Sequence, residues 1–333
     1  MKVLLDARMG VGGVERYAND LIKSLPKVDP ELELEVIEPE QRFSHRPFTP
    51  WSRARIGRMA TEMSVDLVHG LHFELPSSSV PGVVTMPDAI PLEHPASMPN
   101  PFARAYFARV IRRSAAGSVT VVTPSHLGAR ELVRHGVPAS KIEVIPLGLD
   151  PLFRPASGEE RELARHRFSK GSRYVAVVAE DRPHKNLGVL PRVATGIPTG
   201  IHLLCRGRSS KRLPTISFVE RLSDADLRLF YAGAEALLLP SLVEGFGLPA
   251  LEAAGCGTPV VCGRGVGAVE FLGDAVTVVD VTDVDAIIDR LRAVLSDPAL
   301  RDSLVAAGAA RANELSIERM AKSTSEVYRA ARS

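Results

Sequence analysis

Glu244 and Glu252 stand on either side of a double-glycine turn, Gly245-Phe246-Gly247, within residues 237–261, LLLPSLVEGFGLPALEAAGCGTPVV. Carboxylates repel phosphate but accept hydrogen bonds well from vicinal hydroxyls. Between the two acids, the amides of Gly247 and Leu248 fall at a helix start, where free N–H groups and the helix dipole favour an anion. A phosphate at the helix start, with sugar hydroxyls on either side, describes a nucleotide-sugar. The elements that must hold this arrangement surround it. Leu237-Leu238-Leu239 is an apolar run of strand length. Pro249 suits the first turn of a helix, where its missing N–H is not needed. Residues 250–254 continue that helix, and Gly255 is the expected left-handed cap. Residues 259–262 read as a second buried strand. In a parallel sheet the loop between strand and helix lies at the carboxyl edge, where ligands bind. An ordinary strand–helix–strand unit accounts for these elements, but not for both glutamates around the turn.

Residues 244–252, Glu-Gly-Phe-Gly-Leu-Pro-Ala-Leu-Glu, resemble the E-x7-E signature of the retaining glycosyltransferases of family 4, and the resemblance runs almost end to end. It implies an α/β protein of GT-B fold: two doubly wound Rossmann-like domains facing across a cleft, with the nucleotide held by the second. It further implies that Glu244 holds the sugar's hydroxyls, that Glu252 holds the ribose diol, and that Phe246, Gly247 and Leu248 contact the donor. The segment Asp181-Arg182-Pro183-His184-Lys185-Asn186 is similar to the family's Arg and Lys-Asn, whose two cations contact the donor diphosphate. The chemistry agrees. A nucleoside diphosphate gathers negative charge as the glycosidic bond breaks, and fixed cations stabilise it without reorganising, one such contact contributing roughly 3–4 kcal/mol. Taken alone, Lys185 would read as a solvated surface cation. Val219-Glu220-Arg221-Leu222 matches the family segment whose backbone reads the base, which adds Arg221 and Leu222 to the donor set.

Residues 2–7 read as a strand, Gly10-Val11-Gly12-Gly13 as a tight loop, and residues 14–25 as a helix with Val14, Tyr17, Ala18, Leu21 and Ile22 on one face. A dinucleotide fingerprint fails here, because Glu15 stands where the third glycine should be. Residues 12–17 instead resemble the family's N-terminal glycine loop, which closes over the donor, so Gly12 and Gly13 join the donor-binding set. A tight turn alone also accounts for them. Where the family's corresponding strand often ends in His-Asp, with the histidine facing the transferred sugar, this chain has Pro87-Asp88. The role then passes to His69, His72 or His94, or the site has changed. Asp88 can take an acceptor hydroxyl as a catalytic group, or simply cap the next turn.

A chain of 333 residues accommodates two domains. The first is expected over residues 1–155 with a crossover helix over 316–333, and the second over 172–315, joined by a polar linker over 154–172. Net charge is +2, too small to argue for nucleic acid. Arg42, Arg46, Arg53, Arg55 and Arg58, with Phe43, Phe48 and Trp51 interleaved, and Arg104, Arg109, Arg112 and Arg113 further on, make two basic stretches. A solvated face accounts for each; an anionic membrane or a phosphorylated acceptor would also suit them. Three cysteines, Cys205, Cys256 and Cys262, are expected as reduced thiols. The start of the chain is too short for a signal peptide, and no apolar run approaches spanning length. A cytoplasmic protein is expected, with peripheral contact at the inner face of a membrane left open. Asp224-Ala225-Asp226 and Asp283-Val284-Asp285 mimic a metal motif, but each opens a helix, where acids are favoured by capping and dipole. Neither is expected to hold a metal; no metal and no cofactor is expected, because Arg182 and Lys185 would occupy the role that magnesium otherwise fills.

The resemblance implies a retaining, metal-independent transferase that moves a hexosyl group from a GDP-, UDP- or dTDP-sugar to an acceptor hydroxyl. The acceptor would be a glycan, a lipid-linked sugar or a small molecule, with cell-envelope polysaccharide or glycoconjugate synthesis as the setting. A nucleotide-sugar 2-epimerase of the same fold, and a non-catalytic donor-binding subunit suggested by Pro87, are the alternatives.

Overall fold

The structure is a computed structural model that describes residues 1–8, 12–38, 49–208, 213 and 215–332. It comprises two units, Met1–Gly148 with Ile317–Ser333, and Leu149–Ser316. Each is built on one six-stranded parallel sheet.

In the first unit, β1 (Lys2–Asp6), β2 (Glu33–Ile37), β3 (Leu67–Gly70), β4 (Gly82–Thr85), β5 (Thr120–Thr123) and β6 (Ile142–Val144) lie in the order β2-β1-β3-β4-β5-β6. The interior strands are rich in Val and Leu and buried on both faces, as a parallel sheet covered by helices requires. Register sorts their side chains. Leu4 lies beside Val68, Val68 beside Gly82, and Val84 (two residues on) beside Val121, all on one face. Against that face pack Ile56 and Ala60 of the helix Pro50–Glu62, and Phe107 and Ile111 of the helix Pro101–Gly117. Val3, Leu5, Leu67 and Val83 point the other way. They meet Tyr17 and Leu21 of the helix Gly13–Val28, and Met320 and Tyr328 of the last helix, Ile317–Arg332. Arg53, expected on a solvated basic face, is instead buried, with Nε 3.5 Å from Glu74 Oε1. A charge taken out of water needs a partner, and Glu74 also sits beside Arg8. Gly10 and Val11 of the first glycine loop, and Arg42, Phe43, Arg46 and Phe48 of the basic stretch, lie outside the described residues.

In the second unit, β7 (Arg173–Val178), β8 (Ile201–Arg206), β9 (Ser217–Val219), β10 (Ala236–Leu239), β11 (Val260–Gly263) and β12 (Thr277–Val279) take the order β12-β11-β10-β7-β8-β9. From β7 the chain winds outward to β9, returns to the other flank of β7 as β10, and winds outward again to β12. The winding therefore reverses between β7 and β10, and ligands of open α/β sheets bind outside the carboxyl ends of the strands at such a point.

Two local expectations are corrected. The stretch expected as a polar linker folds as the helix Gly158–Ser169 within the second unit, and the unit boundary falls at Gly148. Ser157 caps this helix reciprocally with Glu160, which supplies a start signal that overall polarity hides. Gly255 is a helical residue and not the left-handed cap; Gly257 takes that conformation, with φ 71°. A Cβ on Gly255 would lie 2.6 Å from Leu149 Cδ2 and 2.8 Å from Phe153 O, so close packing, not backbone handedness, requires glycine there.

At the amino end of β10, Glu235 is 2% exposed and meets three cations: Arg165 at 2.8 Å, Arg173 at 3.1 Å and Arg301 at 2.5 Å. Burial pushes its carboxyl up, but the hydrogen bonds from Arg173 and Arg301 pull it further down, to about 2. An unfolded glutamate titrates near about 4.3. The folded value is the lower one, so this stabilisation is present above about pH 4.3 and is lost as pH falls towards 2. Glu235→Gln is expected to be less stable than wild type by about 3 kcal/mol at pH 6, with the gap roughly halved at pH 3. Urea denaturation at both pH values measures it, and a gap independent of pH would refute the assignment.

Candidate active site

The switch point brings two loops together. After β7 the chain runs through Arg182 to Asn186, and after β10 through Pro240 to Gly247. Leu242 N donates to His184 O at 2.8 Å, which ties one loop to the other. Lys185 Nζ lies 2.5 Å from Glu244 Oε1, an ion pair spanning 59 positions of sequence. Ser241 Oγ donates to the same oxygen at 2.6 Å. Oε1 is thus engaged twice, while Oε2 has no partner among the described residues. Glu244 is 9% exposed, yet its open oxygen is not sealed from solvent. It is an acceptor that a ligand hydroxyl can reach.

The turn that follows is built for close approach. Gly247 has φ 97°, and a Cβ there would fall 2.5 Å from Val266 Cγ1, so handedness and space both require glycine. It opens the helix Leu248–Gly255, which has no side-chain cap. Pro249 has no N–H, and the amides of Gly247 and Leu248 donate to no acceptor among the described residues. Two free amides at a helix start form an anion seat. A second loop clamps the turn from behind. Glu244 N donates to Gly265 O at 2.7 Å and Gly267 N to Glu244 O at 3.2 Å. Gly265 permits this, since a Cβ there would be 2.1 Å from Leu242 O. One helical turn beyond the seat, Glu252 is 4% exposed and accepts from Tyr231 Oη at 2.9 Å.

Glu244, Lys185, Gly247, Leu248 and Glu252 therefore share one carboxyl edge, and the first four adjoin directly. The remaining expected residues are placed differently. Phe246 is 4% exposed, its ring 5.9 Å from that of Phe271, so its side chain is part of the wall beneath the turn. Arg182 is exposed, with Nε 3.8 Å from Glu180, and is not fixed as Lys185 is. Exposed Arg221 and half-buried Leu222 follow β9, two strands from β7 at the same edge. Gly12, Gly13 and Asp88 belong to the first unit. Gly12 has φ 63° and precedes the helix that Gly13 opens. Asp88 Oδ1 accepts from Ile90 N at 2.9 Å, the turn-capping arrangement.

Of the three histidines, His69 cannot meet a ligand. It is fully buried, with Nδ1 2.6 Å from Tyr328 Oη and Nε2 2.8 Å from Thr85 Oγ1, and burial lowers its pKa to about 3. It joins β3 and β4 to the last helix. Burial likewise lowers His72 to about 4, so its imidazole is neutral at physiological pH. His94 is half-buried behind the short helix Ile90–Glu93. Sequence reasoning missed Ser241 and Tyr231. Ser241 stands three residues before Glu244 in the same loop, a local pairing that its spacing offers, whereas Tyr231 reaches Glu252 across 21 positions only through tertiary folding.

Ser223 Oγ accepts from Asp226 N at 3.2 Å, and Asp226 pairs with Arg167 at 2.7 Å. Asp283 Oδ1 accepts from the amides of Asp285 and Ala286. Both acidic pairs are thus helix-start devices. Among the described residues no group of three or more His, Cys, Asp or Glu is arranged to hold a metal. Cys205, Cys256 and Cys262 are buried free thiols, all pushed upward by burial, Cys205 and Cys262 to about 12.

Comparison with known proteins adds independent observations. Residues 11–152 match the family model described as Glycosyltransferase Family 4, and residues 159–311 match that of the glycosyl transferases group 1. The O-antigen chain mannosyltransferase B of Escherichia coli is 28% identical over 79% of this chain and 74% of that protein. The D-inositol 3-phosphate glycosyltransferase of Salinispora arenicola is 30% identical over 59% of this chain, which spans about half of that relative (51%). Among solved structures, HepE of Anabaena in complex with UDP and glucose superposes with a TM-score of 0.80 at 17% identity, covering 99% of this chain and 100% of that one. At that identity the likeness speaks for the fold, and the fold agrees with the two doubly wound sheets described above. Two family models that together cover nearly the whole chain, over this architecture, establish that it belongs to the family 4 glycosyltransferases of GT-B fold.

Proposed function

We propose that the chain transfers a hexosyl group from a nucleoside-diphosphate sugar to an acceptor hydroxyl, with retention of anomeric configuration and without a metal ion. The observation that carries this reading is the Lys185–Glu244 pair at the β7/β10 switch point, beside the open amides of Gly247 and Leu248. The diphosphate seats on those amides. Lys185 spends one N–H on Glu244 and has two left for phosphate oxygens. Glu244 Oε2 accepts from a sugar hydroxyl, and the carboxylate of Glu252 takes the ribose diol. As the anomeric carbon–oxygen bond to phosphate breaks, the acceptor oxygen bonds to the same face of that carbon. The acceptor proton passes to a phosphate oxygen of the leaving diphosphate. Arg182, exposed to solvent, closes on the phosphates when they bind. The relatives named as mannosyltransferase and inositol phosphate glycosyltransferase support a hexose and a hydroxyl acceptor, and favour envelope glycans as the setting.

The test is incubation of the purified protein with GDP-, UDP- and dTDP-hexoses and lipid-linked or free glycan acceptors, with and without EDTA. The expected product keeps the donor's anomeric configuration and forms at an undiminished rate in chelator. An inverted product refutes retention, and lost activity in EDTA refutes metal independence. Conversion of the donor to an epimer without acceptor would identify an epimerase.

A further inference from the structure

Two helices of the first unit begin alike. Thr49-Pro50-Trp51 and Asn100-Pro101-Phe102 each set a capping side chain, a proline and then an aromatic residue in the first turn; Thr49 accepts from Ser52 N, and Asn100 from Ala103 N. At i+4, i+7 and i+11 from the aromatic residue, one helix continues with Arg55, Arg58 and Glu62, the other with Tyr106, Arg109 and Arg113. Residues so spaced share one helix face. In both helices it is the outer face. Trp51 is 78% exposed, Phe102 86% and Tyr106 40%, and the arginines of both stripes are exposed. The inner faces, carrying Ile56 in one helix and Phe107 and Ile111 in the other, pack on the same side of the sheet. Residues 75–78 join the two: Ser77 O packs against Gly57, and Leu75 N donates to Ser114 Oγ. The outer faces are therefore parts of one surface. Each helix ends within a few residues of the next parallel strand, so both first turns, with Trp51 and Phe102, lie toward the carboxyl edge of the sheet.

This surface is predominantly basic, with Glu62 the one acid on the two stripes. Helix Pro101–Gly117 carries four arginines and no acid. Arg109, Arg112 and Arg113 have no carboxylate partner among the described residues. Exposed tryptophan and phenylalanine have no reason to be wet at the start of two basic helices unless something covers them. Aromatic rings flanked by arginine are suited to the headgroup level of an anionic bilayer, where the ring enters the acyl boundary and the guanidinium meets phosphate. No helix among the described residues is long and apolar enough to cross a membrane, so contact by this face would be peripheral. We propose that the outer face of helices Pro50–Glu62 and Pro101–Gly117 docks on an anionic lipid surface. The inference does not depend on the transfer reading, because it draws on no residue of the candidate active site.

Trp51 is the sole tryptophan of the chain, so its intrinsic fluorescence reports the contact without a label. Full-length protein is titrated with phosphatidylcholine vesicles and with vesicles containing phosphatidylglycerol. Only the anionic vesicles are expected to shift the emission to shorter wavelength, and acyl-chain bromination should quench it. Replacing Arg109, Arg112 and Arg113 by Gln together should weaken binding about 100-fold, at roughly fivefold per arginine. Nucleotide-induced thermal stabilisation should be unchanged in that variant, which shows that the protein is folded and its active site intact. Unshifted emission on anionic vesicles, equal binding to neutral ones, or full binding by the triple variant overturns the proposal. The first of these would direct attention to an acidic protein as the occupant.

Discussion

Lys185→Ala is expected to lower kcat by about 100- to 1,000-fold, the effect of deleting one preorganised contact to a developing oxyanion. Three features of the site set that size. The side chain is only 18% exposed, so its charge acts through little water. Glu244 holds Nζ in place at 2.5 Å, so no reorganisation is needed when the diphosphate gathers charge. Removal also leaves the Glu244 carboxylate facing the phosphates without its partner, so donor KM should rise as well. Lys185→Arg keeps the charge but not the compact geometry, and should recover only part of the loss. Steady-state rates at saturating donor measure the effect. A kcat within about threefold of wild type, in a protein that still binds nucleotide, would remove Lys185 from the chemistry.

Glu244→Gln is the second large effect, and it tests the open oxygen. Glutamine is nearly isosteric and its carbonyl can still accept from Lys185 and Ser241 in the place of Oε1. The amide nitrogen then stands where Oε2 stood and presents donors to a sugar hydroxyl that needs an acceptor. Hydrogen bonds to charged groups contribute about 1.5–3 kcal/mol, so transfer should fall roughly 10- to 150-fold in a folded protein. Nucleoside diphosphate without the sugar should bind nearly as before, since the amide seat at Gly247 is untouched. A variant that transfers at the normal rate would make Glu244 a tether for Lys185 and the clamp at Gly265, with no role toward the sugar.

Both expectations rest on residues that sequence and structure identify by different routes. The E-x7-E segment, the apolar runs of β7, β10 and β11, and the amphipathic helix Gly13–Val28 are local patterns, and local patterns can be read from spacing alone. The helix Gly158–Ser169 was equally local, announced by Ser157 and Glu160, and was obscured because its few buried positions carry little apolar period. Gly255 shows the opposite failure. Its position after a helical run suggested a cap, but Leu149 and Phe153, a hundred positions away, decide why it is glycine.

By itself the sequence determined the individual strands and helices around the site, the glycine turn, and the residue types able to meet phosphate and hydroxyls, because strand and helix periodicities and motif spacing act over a few residues; the two doubly wound sheets were implied by the family resemblance. Only the tertiary structure decided which of those residues are partners. Strand order alone puts β10 beside β7, and that adjacency brings Lys185 onto the oxygen of Glu244 that its loop neighbour Ser241 also holds, leaving the other open. The same packing withdrew His69 into the core between Thr85 and Tyr328, turned the ring of Phe246 onto Phe271, and gathered two distant aromatic–arginine stripes onto one face of the first sheet. Side-chain partnership depends on distances across the chain, and those distances exist only once the sheets have formed.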